Sequence, residues 1–384
     1  MQNSWWTKAE QMDTDQKRFI ALDSDGKHLL VGPPGCGKTN LLVMRARYIY
    51  GSGLKNILFL TFTRSLQDFI RTGVSEKKYL KAEQIQTFKH WALSHCGTYA
   101  QDQMSEYDRD ASFEDQRTQI LDILKIANKR VEGRNLYDAI LIDEVQDLMI
   151  DEVKILMQLS DRITVAGDTK QMIYETGQTV QEIKQLGFIE TALKFHYRIG
   201  HAISTVADKA LQPQNVNQRL YVNSQYREDE MKSRADLHEC TDRQSQFDLM
   251  YDVIKLQLRS YPNEGIGIIV PKKLLVAELQ ARFLKTDLAE HVAYHTEDGE
   301  GNTFVSGKSI HVLPIKSAKG VEFRVVHLYG LEELKYPQHR RELIFVAVTR
   351  AKTALDGYYS GKILASVETA FSKPIAPPAL EDLF

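Results

Sequence analysis

Gly32-Pro33-Pro34-Gly35-Cys36-Gly37-Lys38-Thr39, preceded by His28-Leu29-Leu30-Val31, decides how this chain folds. The octet fits the pattern G-x-x-x-x-G-K-[ST]. The apolar run before it reads as a buried strand, and residues 40–50 after it read as a helix stopped by Gly51. Strand, glycine loop and helix in that order make a phosphate cradle. Glycines let backbone N–H groups turn inward around phosphate oxygens, and the helix N-terminus adds favourable partial charge. Gly32, Pro33, Pro34, Gly35, Cys36 and Gly37 form the cradle. Lys38 is placed to neutralise β- and γ-phosphates, and the Thr39 hydroxyl to bind Mg²⁺.

A second stretch, Ile140-Leu141-Ile142-Asp143-Glu144, is an apolar strand ending in two acids. Asp143 is expected to hold the same Mg²⁺ from its own strand end. Glu144, next to it, is placed to polarise an attacking water.

The chain has 384 residues, enough for two or three domains. A hydrophobic fraction of 43% with 26% charge is that of a globular protein. The net charge of −2 and a pI near 6.6 give no global sign of a polyanionic partner. A local basic groove is compatible with them, since field and not total charge steers a ligand. Cys36, Cys96 and Cys240 are odd in number and widely spaced, which argues against a disulfide framework and a zinc site. The first residues lack the apolar core of a secretory signal, and no apolar run is long enough to cross a bilayer. The expectation is a cytoplasmic protein without a membrane partner.

Strand patterns at 29–31, 57–61, 139–142 and 163–166 alternate with helical patterns at 65–72, 120–129 and 152–159. That alternation implies a parallel sheet covered by helices on both faces. Ligands of such sheets bind beyond the carboxyl ends of the strands, where both motifs sit. Residues 97–134 read as a small helical insertion, and 208–243 as a polar, loop-rich excursion. Strand patterns return at 265–270, 309–315, 324–329 and 343–348, with helices at 274–285 and 361–370. The expected division is therefore one α/β domain over 1–190, a second over 191–372, and a flexible Pro-rich tail over 373–384.

Further segments follow in a fixed order. They are Thr14-Asp15-Gln16, Leu60-Thr61-Phe62-Thr63-Arg64-Ser65, Gln86-Thr87-Phe88-Lys89 and Ile142-Asp143-Glu144-Val145-Gln146-Asp147. Next come Val165-Ala166-Gly167-Asp168-Thr169-Lys170-Gln171-Met172-Ile173-Tyr174 and Phe195-His196-Tyr197-Arg198. Lys316-Ser317-Ala318-Lys319-Gly320-Val321-Glu322-Phe323 and Val346-Ala347-Val348-Thr349-Arg350-Ala351-Lys352 complete the set. Together they resemble the motifs of superfamily 1 helicases of the UvrD/Rep/PcrA group, over residues 14 to about 352. The resemblance implies two RecA-like P-loop domains in tandem, with ATP and Mg²⁺ in the cleft between them. It implies that Gln16 reads the adenine edge, Tyr197 stacks on the base, Glu322 contacts the sugar and Gln171 senses the γ-phosphate. Arg198 and Arg350 would reach the γ-phosphate from the second domain. Such a cation stabilises the charge of the transition state by roughly 4–7 kcal/mol. Thr61, Phe62, Thr63, Arg64, Thr87, Phe88, Lys89 and Lys316 would line a single-strand path, holding phosphates or stacking on bases.

The chain departs from that group in informative ways. Only the residues between Phe88 and Tyr137 are available for the usual first-domain insertion, and little room exists between Arg198 and Val312 for a large second one. After Ile173 the run Tyr174-Glu175-Thr176 lacks the usual base-stacking aromatic. Lys89 and Lys316 stand where histidines are usual, and His196 where an Asn is usual. The nucleotide chemistry reads as intact and the track as rebuilt. The resemblance thus implies an ATP-dependent translocase or helicase on single-stranded DNA or a tailed duplex, moving 3′→5′. The alternative is a nucleotide-gated switch or adaptor that recruits or licenses a partner, such as a nuclease in DNA repair or antiviral (anti-phage) defence. The terminal Leu380-Glu381-Asp382-Leu383-Phe384 loosely resembles peptides that dock on bacterial sliding clamps; folding back on its own domain is the rival reading.

Overall fold

The computed structural model describes residues 12–74, 79–131, 135–168, 180–295, 307–335 and 341–372. It holds two RecA-like α/β domains in tandem. The chain enters through α1 (Thr14–Ile20), capped by Asp13, whose carboxylate accepts from the Gln16 backbone N–H at 2.8 Å. Then follow β1 (Gly26–Val31), α2 (Lys38–Gly51), β2 (Ile57–Thr61), α3 (Arg64–Val74), β3 (Ile85–Thr87), α4 (Phe88–Tyr99), α5 (Phe113–Arg130) and β4 (Ala139–Ile142). The first domain closes with α6 (Ile150–Leu156), β5 (Arg162–Gly167), α7 (Val180–Gln185) and β6 (Ile189–Ala192). Its six strands lie in the order β3-β2-β4-β5-β1-β6, every pair parallel. Strands β2 and β4 are buried at every position, as expected of a sheet covered on both faces.

The second domain runs α8 (His201–Leu211), β7 (Arg234–Cys240), α9 (Arg243–Ser260), β8 (Ile266–Val270), α10 (Lys273–Phe283), β9 (Val292–Tyr294), β10 (Ile310–Pro314) and β11 (Phe323–Leu328). It ends with α11 (Arg341–Val348), β12 (Ala351–Ser360) and α12 (Ala365–Phe371). Its six strands, again parallel, lie in the order β7-β12-β11-β8-β10-β9. One apolar cluster joins the domains, running from Phe19 and Leu42 in the first to Ile269, Leu313 and Phe345 in the second.

Several elements differ from the sequence reading. Residues 343–348 are helix, not strand: the six residues are buried on all sides, so their apolar run carries no helical stripe. Strand β7 lies inside the stretch expected to be loop-rich: its alternation, Arg-Ala-Asp-Leu-His, is short and mostly polar, and none of its residues is fully buried. Strand β12 and helix α9 were also not anticipated. The region expected as a helical insertion contains α5, which packs on α4 and α6 and so belongs to the first domain's body. The tail with Leu383 and Phe384 lies outside the described residues.

Candidate nucleotide site and nucleic-acid track

The glycine loop turns through left-handed backbone at Gly35 (φ +76°) and Gly37 (φ +91°), which only glycine adopts freely. Lys38 opens α2 and folds back over the loop, donating to the carbonyls of Gly32 at 2.7 Å and Pro33 at 3.1 Å. Its amine lies 3.9 Å from the Asp168 carboxylate at the end of β5. Burial alone would lower the Lys38 pKa, but Cys36, Asp168, Glu144 and Asp143 turn the net shift upward and keep it charged. One residue on, the Thr39 hydroxyl donates to Asp143 Oδ2 at 2.6 Å.

Asp143 and Glu144 follow β4 and are pushed in opposite directions. Burial, then the neighbouring Glu144 charge, raises Asp143 to about 7. Burial also acts on Glu144, but Lys319, Lys38, Arg350 and the Gln146 amide together pull it below its ordinary value. Glu144 is held by that amide and sits in left-handed backbone (φ +55°), a conformation unusual for a side chain with Cβ. Adjacent carboxyls with diverging pKa values are suited to different chemistry: the ionised Glu144 can accept a proton, and Asp143 is stabilised as a carboxylate only by a cation beside it. The Thr39 hydroxyl and the Asp143 carboxylate are hard oxygen donors on one spot, the donor set that Mg²⁺ prefers. A divalent ion there would relieve the burial of two acids side by side, so the residues present fit it.

The second domain supplies the opposite wall. Arg198 donates to Glu322 Oε2 at 2.7 Å, and Glu322, despite burial, is lowered to about 2 by Arg198 and Lys352. Arg350 is buried, with Nε on the Val346 carbonyl at 2.9 Å and Nη1 on that of Val321 at 3.2 Å. Lys38, Thr39 and Glu144 line one cleft together with Arg198, Glu322 and Arg350. Beyond it a wider pocket takes in Gln16, Tyr197, Tyr226, Met231 and Lys352. Both ends of the Gln16 amide have partners: Nε2 donates to the Cys36 carbonyl at 3.0 Å, and Oε1 accepts from the Asp13 N–H at 3.1 Å. Each end keeps one further hydrogen-bonding position for a base edge. Tyr197 is 37% exposed, its hydroxyl on the Asp13 carboxylate. Gln171 lies outside the described residues.

Sequence reading missed Lys319. Its amine crosses from the second domain to Asp147 at 2.7 Å and stands 3.7 Å from the Glu144 carboxylate. It is almost completely buried. Burial nevertheless holds Asp147 up at about 6. Tyr226, Met231 and Arg324 were likewise missed; they wall the wider pocket from the stretch that read as an excursion and from β11. Lys319 stands before a glycine inside one of the segments that carry the resemblance, which was a signal for it, and nothing distinguished the others.

The expected track residues gather beyond the ends of β2, β3 and β10. The Thr61 hydroxyl donates to the Thr63 carbonyl at 3.2 Å, Thr63 Oγ1 accepts from the Leu66 N–H, and Thr87 caps α4 by accepting from the His90 N–H. These hydroxyls shape their own turns. Phe88 is a core residue here, 6% exposed and 5.6 Å from Trp91, so its ring offers no open face to a base. Phe62 is half-buried with the Arg117 guanidinium 5.6 Å above its ring. Arg64, Lys89 and Lys316 are exposed, Lys89 donating to Gln116 at 2.7 Å. Among the described residues no helix is long and apolar enough to cross a membrane.

Two family models, a curated relative and a solved structure show similarity to the chain. A family model described as an AAA domain matches residues 16–177, and one described as a UvrD-like helicase C-terminal domain matches 309–355. The chain is 27% identical over 239 residues to a protein of Mycoplasma pneumoniae named "Probable DNA helicase". That match covers 56% of this chain and 42% of the relative, so the chain spans less than half the relative's length. A solved structure of the PRRSV helicase aligns over 89% of this chain and 54% of its own, at 14% identity and a TM-score of 0.41.

Proposed function

The chain belongs to the UvrD-like superfamily 1 helicases, and from that premise we propose that it hydrolyses ATP to move along single-stranded DNA. The observation that carries this is the shared cleft, where Lys38, Thr39 and Glu144 of one domain face Arg198, Glu322 and Arg350 of the other. The triphosphate lies along the glycine loop with Lys38 released from the Gly32 and Pro33 carbonyls onto its oxygens. Thr39 and Asp143 would hold a Mg²⁺ ion, which would neutralise phosphate charge. Glu144, ionised and braced by Gln146, takes the proton of the attacking water. Arg350 and Arg198 meet the charge that develops on the γ-phosphoryl group. Arg198 must first exchange Glu322 for phosphate, which ties closure of the cleft to nucleotide. Gln16 and Tyr197 hold the base.

Alternating grip by the two domains then advances the strand, 3′→5′ by family resemblance, with Arg64, Lys89 and Lys316 as phosphate contacts in a cytoplasmic setting. ATP turnover measured with and without single-stranded DNA at low salt tests the motor, because phosphate-dominated binding fades steeply with added ions. Stimulation is the expected result. Lys38→Ala should abolish turnover, and Glu144→Gln should cut it by about 10²–10⁴-fold while nucleotide still binds.

The thin track favours a second reading. The buried Phe88 and the internally bonded Thr61, Thr63 and Thr87 leave few groups to grip a strand. In that reading the same cleft works as a nucleotide-gated adaptor for a partner such as a nuclease. A strand-displacement assay on a tailed duplex beside a co-purification experiment separates the two, since an adaptor retains its partner and turns over nucleotide without displacing strand.

A further inference from the structure

We propose that Arg117 is a positioning residue that couples the single-strand face to the water-activating carboxylate; the inference rests on the motor reading. Arg117 stands on α5, outside every segment of the family resemblance, and is 7% exposed. Its Nε donates to Glu152 Oε1 at 2.7 Å, and its Nη2 reaches the other oxygen of the same carboxylate. That pair alone would pin α5 to α6. The guanidinium does two further things. Nη2 donates to the Asp147 carbonyl at 2.7 Å, and Cζ of the group lies over the Phe62 ring, 5.6 Å from its centroid.

Both partners belong to functional segments. Phe62 follows β2 on the expected strand path. Asp147 ends the turn Val145–Asp147, whose Gln146 holds Glu144 through its amide nitrogen and accepts from the Asp168 N–H at 3.1 Å through its amide oxygen. The Asp147 carboxylate in turn holds Lys319 at 2.7 Å, and Lys319 stands 3.7 Å from Glu144. A short chain of contacts thus runs from an aromatic ring on the track to the base of the reaction: Phe62, Arg117, Asp147, Lys319, Glu144. A base stacking on Phe62 would displace the ring, tilt the guanidinium above it and shift the turn that braces Glu144. Only a planar fork can serve the carboxylate, the carbonyl and the ring at once; an ammonium cannot.

The test uses the full chain, with thermal melting to confirm folding. Arg117→Lys keeps a cation beside Glu152 and loses the fork. The paired Arg117→Gln/Glu152→Gln variant removes both charges, so no buried charge is stranded. In either variant, basal turnover and KM for ATP should match the parent and oligonucleotide affinity by fluorescence anisotropy should hold, while stimulation by a single-stranded oligonucleotide falls by about fivefold or more. Parental stimulation in a folded variant overturns the coupling and leaves the motor standing. Parallel loss of basal and stimulated turnover would make Arg117 a strut and also overturn it. No stimulation of the parent protein brings down the motor reading and the coupling with it.

Discussion

Two neighbouring carboxyls at the end of β4 carry opposite shifts, and that contrast has a measurable consequence. Mg²⁺ requires Asp143 without its proton, so metal binding and deprotonation are linked. With Asp143 held at about 7 by burial and by Glu144, affinity for the Mg²⁺–nucleotide complex should fall as pH drops through that value. The slope should approach about tenfold per pH unit well below it. Titration of a fluorescent nucleotide with Mg²⁺ across this range reads it directly, and Asp143→Asn should bind weakly with no such slope. The metal-free protein should run the other way. A carboxyl whose pKa is raised on folding binds its proton more tightly folded than unfolded, so this term stabilises as pH falls from about 7 toward the ordinary carboxyl range. Lys38, Thr39, Asp143 and Glu144 were legible in the sequence because each motif is a contiguous run beside its own strand. Lys319 was not, since the Asp147 that gives it meaning lies 172 residues away.

At the scale of elements, most central strands were legible, while the edges and the interior strand β12 were not. Strands β2, β4 and β8 are buried throughout and read as uninterrupted apolar runs. Edge strand β7 draws its partners from β12, a pairing no local pattern encodes. Helix α11 misled for the opposite reason: burial of all its residues from Leu343 to Val348 left that run without a polar face. Inside β8, Gly267 marks how tightly the second sheet is packed. A Cβ added there would stand 2.4 Å from the Phe323 ring, and Phe323 opens β11 directly after Glu322. Gly267→Ala should therefore cost about 1–3 kcal/mol by overpacking. Gly97, within α4, meets nothing within 4 Å at its Cβ position. Gly97→Ala should instead stabilise by about 0.5–1 kcal/mol, since alanine loses less freedom in a helix. Urea denaturation of the two variants should move midpoints in opposite directions, and equal shifts would mean that β8 has slack the geometry does not show.

At the scale of the whole molecule, the order of motifs announced two domains and a cleft but not how closely the domains meet. They meet at Gly320 and Leu66. Gly320 precedes Val321 and Glu322, has φ +82°, and its missing Cβ would stand 2.7 Å from Leu66 Cδ2 on α3 of the other domain. Its neighbour Lys319 makes the buried bond to Asp147 across the same seam. Gly320→Ala carries two separable penalties. The left-handed backbone costs about 1–2 kcal/mol for any residue with Cβ. The collision with Leu66 costs about 1–3 kcal/mol more unless the domains part. Parting them would draw Arg198 and Arg350 away from the triphosphate position, and a misplacement near 1 Å is enough to lower turnover by about a hundredfold. Leu66→Ala removes the obstacle at its own expense in packing. If seam contact sets cleft geometry, Gly320→Ala/Leu66→Ala should turn over ATP faster than Gly320→Ala alone, while remaining less stable than the parent because the backbone and cavity penalties persist. Losses in kcat that simply multiply across the two substitutions would show that the collision plays no part and that the seam does not govern the chemistry.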